Sequence, residues 1–150
     1  MGIKAQSRLI KGAPDYEEGL WTPTLGVMSG TDGVHTYDTQ VGEYVRLGKL
    51  VWVKCTVDLG SFDGSMSGSA VVKGLPFVNT PGGTPFAIST IQNVTLNTGA
   101  GYSMYVALVR SSQSDIALRE VGSDLNESAL TQADFSSASA MVISGVYATP

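Results

Sequence analysis

Few side chains in this sequence could carry chemistry. His35 is the single histidine and Cys55 the single cysteine of 150 residues. A hydrolytic triad would need His35 as its base. It lies in "GTDGVHTYD", whose glycines and aspartates read as an exposed loop, and the chain has no G-x-S-x-G nucleophile elbow. Asp32-Gly33 and Asp63-Gly64 are turn pairs; neither belongs to a D-x-D-x-D-G calcium loop with its closing glutamate. Glycoside cleavage needs two carboxylates flanking a cleft. Glu17 and Glu18 precede the expected fold, and the other acids read as turn and edge residues. A lone cysteine makes neither an intrachain disulfide nor a CxxC pair, so Cys55 reads as a small buried hydrophobe. A P-loop and a dinucleotide GxGxxG are both lacking. These residues predict a protein that is not an enzyme, with no cofactor and no metal.

The elements that would position such residues are strands. With 43% hydrophobic and 15% charged residues and 18 glycines, the chain can fold but is poor in the residues that long helices use. In "LVWVKCTVDLG", Val51, Val53, Cys55, Val57 and Leu59 alternate with Trp52, Lys54, Thr56 and Asp58, which predicts a half-buried strand. Before it stand Tyr44 and Val45 and the turn Leu47-Gly48-Lys49, where Gly48 can supply the positive φ of a tight hairpin. Further strands are expected at residues 21–25, 69–75, 86–91, 94–97, 102–110, 116–121 and 141–147, between Gly, Ser, Asn and Pro clusters. "DLNESALTQADF" is expected to be a loop with a helical turn, Asp124 serving as N-cap and Glu127 three residues on. The expected fold is all-β, an antiparallel β-sandwich or jelly roll with an extended N-terminal arm.

Charge divides the chain into two parts, an arm at 1–19 and a sandwich at 20–150. Lys4, Arg8 and Lys11 fall in the first thirteen residues without an acid, while residues 20–150 hold ten acids against six bases. Ile3, Leu9 and Ile10 add apolar anchors to the basic arm, a pattern that predicts ordering against an acidic partner surface. The net charge of −4 argues against a nucleic-acid groove, which needs clustered bases. No segment approaches the ~18 apolar residues of a membrane span, and "MGIKAQSRLIKG" lacks a signal-peptide core. Asn93-Val94-Thr95 and Asn126-Glu127-Ser128 match the glycosylation acceptor, which without a signal peptide reads as chance.

Several fragments are distinctive together: "DYEEGLWTPTL", "YDTQVGEYVRLGKLVWVKCTVDLGS", "GSAVVKGLPF" and "MVISGVYAT". In order and spacing they resemble a β-sandwich domain of bacteriophage tail-fibre tips and related virion surface proteins, over about 130 residues. Its most specific parts are Trp21-Thr22-Pro23, Gln40-x-Gly42-x-Tyr44-x-x-Leu47-Gly48 and Gly74-Leu75-Pro76-Phe77. Leu20 departs from the small polar residue usual before the tryptophan, and Leu47 from an isoleucine. Trp21, Tyr44, Leu75 and Phe77 are expected to pack in the core. The resemblance implies a homotrimer on the particle surface. Only about nineteen residues precede the sandwich, so a long shaft is not expected. The expected function is a non-enzymatic capsid decoration (cement) or short head-fibre protein, with Ile3, Lys4, Arg8, Leu9, Ile10 and Lys11 contacting the major capsid protein or another virion protein. The alternative is a tail-fibre tip or tail adaptor, whose loops 30–39 and 79–85 would touch a host surface glycan or protein.

Overall fold

The computed structural model describes residues 15–82, 86–88, 90–92, 95–97, 99–123 and 125–150. Its strands are β1 (Tyr16–Trp21), β2 (Thr24–Val27), β3 (Thr36–Leu47), β4 (Leu50–Ser61), β5 (Ala70–Lys73), β6 (Phe86–Ile88), β7 (Thr90–Gln92), β8 (Met104–Val109), β9 (Asp115–Gly122), β10 (Leu125–Ala129) and β11 (Ala140–Ala148). One sheet runs β1-β3-β4-β11-β7 and the other β2-β5-β9-β8-β6, with β10 beside β9. Every strand pairing is antiparallel. The chain is the antiparallel β-sandwich that its alternation predicts.

The alternation of β4 builds one wall of the core. Val51, Val53, Cys55, Val57 and Leu59 are all buried, as are Met141, Ile143 and Tyr147 of the adjacent β11. Leu25, Val27, Ala70, Val72, Ala107, Val109, Ile116 and Leu118 of the second sheet belong to the same cluster. Each fully buried aliphatic side chain contributes about 1.5–3 kcal/mol. Burial pushes the Cys55 thiol up to about 12, which keeps it protonated and inert. At the β3–β4 turn Gly48 takes φ 59°, the left-handed conformation that residue was expected to supply.

Four expectations are corrected by pairing. The sheet begins at Tyr16, because Tyr16–Gly19 pair with Tyr44–Leu47 of β3 rather than standing outside the sheet. β3 reaches back to Thr36, through residues read as loop, because their backbone pairs with β4. The single strand expected at 86–91 is replaced by two in different sheets, Phe86–Ile88 (β6) against β8 and Thr90–Gln92 (β7) against β11. Leu125–Ala129 is a strand on β9, and the helical turn falls later, as a 3-10 turn at Gln132–Asp134 capped by Thr131. The expected cap Asp124 and the expected strand start at Val94 lie outside the described residues, and residues 95–97 are not strand.

The chain changes sheets at Trp21-Thr22-Pro23, between β1 and β2. Pro23 suits that corner because it has no N–H to leave unpaired. Its carbonyl accepts a hydrogen bond from Gln40 Nε2 at 2.9 Å. Trp21 pairs with Gly42 in register and donates its Nε1–H to the Glu43 carbonyl at 3.2 Å. Tyr44 stands over Gly19, donates to Glu17 at 2.9 Å and meets Phe77 edge to face, with centroids 5.4 Å apart. Tyr147 donates to the Phe77 carbonyl at 3.0 Å. The three most distinctive sequence motifs therefore meet at one corner, where they hold the two sheets together.

Candidate functional site

His35 sits at the opposite end of β3 from the Gly48 turn, in the loop before Thr36. Its Nδ1 accepts the Asp63 backbone N–H at 3.1 Å, so Nε2 carries the proton and donates it to the Asp32 carbonyl at 2.8 Å. The ring stacks on Phe62 with centroids 5.1 Å apart, and Phe62 stacks in turn on Phe135. Both ring nitrogens are thus engaged by main chain. The imidazole ties two loops together and has no lone pair left for a nucleophile.

The flanking turn aspartates do similar work. Asp32 accepts both Lys73 Nζ, at 2.7 and 2.8 Å, and the Val27 N–H at 2.7 Å. Asp63 accepts the N–H groups of Val34 and Ser65 and the Ser65 hydroxyl. Hydrogen bonding from Lys73 holds the Asp32 carboxyl below its ordinary range, and bonding from the Ser65 N–H does the same for Asp63. Both groups are more acidic folded than unfolded. Their stabilisation is complete above about pH 4, the ordinary carboxylate value, and disappears as pH falls through their lower native values. The unfolding midpoint should therefore drop on acidification below about pH 4, and drop less steeply in an Asp32→Asn variant. Parallel curves for the two proteins would mean that the Lys73 contact does not couple to folding.

The second candidate loop is partly structural too. Asn79 is fully buried, and its amide donates to the carbonyls of Val109 and Arg110 at 3.2 and 3.3 Å. Residues 83–85 lie outside the described residues, as do Asn93 and Val94 of one glycosylation pattern. The arm residues Ile3, Lys4, Arg8, Leu9, Ile10 and Lys11 lie there as well. Among the described residues, no three His, Cys, Asp or Glu side chains gather in a way that could hold a metal ion.

What the sequence reading missed is a surface. On the outer face of the first sheet, Glu18, Gly19, Leu20, Glu43, Tyr44, Val45 and Trp52 line an open cleft. Leu20, Val45 and Trp52 bring apolar surface to it, and Glu18 and Glu43 bring carboxylates beside them. The signal was present in "LVWV", four apolar residues in a row where strict alternation would put a polar residue at Leu50 and Trp52.

These features define a two-sheet β-sandwich whose distinctive loops and motif residues are engaged in holding the fold. No protein-family model matches the chain, and no curated protein matches it. Among solved structures it is similar to the Dettilon tailspike protein, with a TM-score of 0.67 and 21% identity over 95% of this chain. That likeness is one of fold. The chain spans 26% of the tailspike's length.

Proposed function

We propose that the chain is a non-enzymatic structural domain of a bacteriophage virion, displayed on the particle surface as a trimeric capsid decoration or short head-fibre protein. Ile3, Lys4, Arg8, Leu9, Ile10 and Lys11 attach it to the major capsid protein or another virion protein. The observation that carries the reading is the corner where Trp21, Gly42, Tyr44 and Phe77 meet, because it assembles the motifs of the virion β-sandwich resemblance. The basic, apolar arm before an acidic body supports attachment to a larger acidic surface.

The alternative, a tail-fibre tip or tail adaptor that binds a host receptor, is favoured by one observation: a solved structure that the chain resembles in fold is a tailspike. Both readings expect the protein to stay with particles purified through a density gradient and to degrade no surface polysaccharide. Recovery only as free protein, or polysaccharide cleavage lost on mutating an acid, would overturn them.

A further inference from the structure

The loops expected to face a receptor are tied down: Asp32 and His35 hold the first, and buried Asn79 anchors the start of the second. The cleft on the outer face of the first sheet is open by contrast. There β3 runs between β1 and β4, so Val45 and Glu43 lie between the β1 side chains and Trp52. In one row Glu18 stands opposite Val45, which stands opposite Trp52; in the next Leu20 stands opposite Glu43, which stands opposite Lys54. Two strand spacings separate the backbones of β1 and β4, about 10 Å, a width that admits one ring between their side chains. The cleft has a volume of about 300 Å³, at the lower end of small-ligand sites. Leu20 is 74% exposed and Trp52 37% exposed, so both walls are open to a ligand.

We infer that this cleft binds one ring of a neutral saccharide. A pyranose ring has apolar C–H faces and a rim of hydroxyls, each of which both donates and accepts. Leu20, Val45 and Trp52 offer apolar surface to a face, the indole being the largest platform. The carboxylates of Glu18 and Glu43 accept from the rim, and the neighbouring Lys54 ammonium donates to it. Charge decides against a cationic ligand. Glu43 already has Lys54 as its cross-strand partner. Glu18 accepts the Tyr16 hydroxyl. A wholly apolar ligand fits no better, because it would cover the carboxylates without giving them a donor. The ligand that remains is uncharged, with an apolar face and hydroxyl donors. The inference deepens the receptor-binding reading and rests on it for its setting, moving the contact from the loops to the sheet face.

The test presents the full-length protein to an array of neutral oligosaccharides of glucose, galactose, mannose and N-acetylglucosamine. Trp21 is buried, so acrylamide quenching of tryptophan fluorescence reports on Trp52. At least one array sugar is expected to bind and, free in solution, to shield Trp52 from the quencher; tetramethylammonium is expected to shield nothing. Trp52→Ala is expected to weaken binding to that sugar at least about tenfold, with the circular dichroism of a folded sandwich. Leu20→Ser keeps the indole and changes a mostly exposed position, so it serves should the first variant unfold; it is expected to weaken binding severalfold. Met104→Ala, on the other sheet, is expected to bind as wild type does. The cleft is overturned if no neutral oligosaccharide binds, if tetramethylammonium shields Trp52 as well as a sugar does, or if the folded Trp52 and Leu20 variants bind like wild type. Failure to bind by a chain located at the tail tip overturns the cleft and leaves the receptor reading standing. Binding by a chain located on the shell supports the cleft and counts against that reading.

Discussion

Replacing Trp21 with alanine is expected to cost about 3–5 kcal/mol, the range for deleting a large aromatic from a core. Trp21 is 8% exposed, it ends β1 just before the chain changes sheets, and its indole lies flat against the bare backbone of Gly42. A Cβ at Gly42 would come within 2.4 Å of the indole Cε2 and Nε1. Gly42→Val should therefore be severely destabilising as well, since the valine and the indole would claim one space. The double variant is the sharper test. With the indole gone, the valine has room, so the two losses should fall short of adding, beyond the roughly 0.5 kcal/mol scatter of independent sites. Urea unfolding of the four proteins measures this. Additive losses would show that Trp21 and Gly42 do not share that space.

Deleting residues 2–13 is expected to abolish incorporation into particles while leaving a folded oligomer with an unchanged unfolding midpoint. The cut has to stop before Asp15, whose carbonyl accepts the Gly48 N–H at 2.8 Å and so ties the start of β1 to the β3–β4 turn. Exchanging Lys4, Arg8 and Lys11 for glutamate should weaken attachment in the same direction. A milder loss that deepens with salt would mark the charges as one part of the grip and Ile3, Leu9 and Ile10 as the other. Normal incorporation of the truncated chain would remove the arm from the mechanism.

Period-two alternation made β4 legible in the sequence, because Val51 to Leu59 face a core on one side and largely water on the other. Its hairpin was legible from Gly48. β1 was hidden by Glu17 and Glu18, which look like a solvated arm. In the fold, Glu17 accepts the Tyr44 hydroxyl on the inner face, while Glu18 points outward beside Val45. β10 was hidden because a short strand beside β9 needs only backbone pairing, and its residues also suit a helical turn. The break within residues 86–91 was invisible for a related reason: both halves have strand composition, and nothing local says that they join different sheets. The site followed the same pattern. His35 was rightly placed in a loop, but its anchoring role depends on Phe62 and on the backbone of Asp63, 28 residues away. The apolar outer face depends on register across β1, β3, β4 and β11, which single strands do not disclose.

The virion reading stands or falls on where the chain sits in an intact particle, and electron cryo-microscopy of purified particles measures that. The decoration reading predicts density of this β-sandwich repeating over the icosahedral shell, with the first residues of the chain against the capsid surface. Density confined to the tail, with a bare shell, would contradict it.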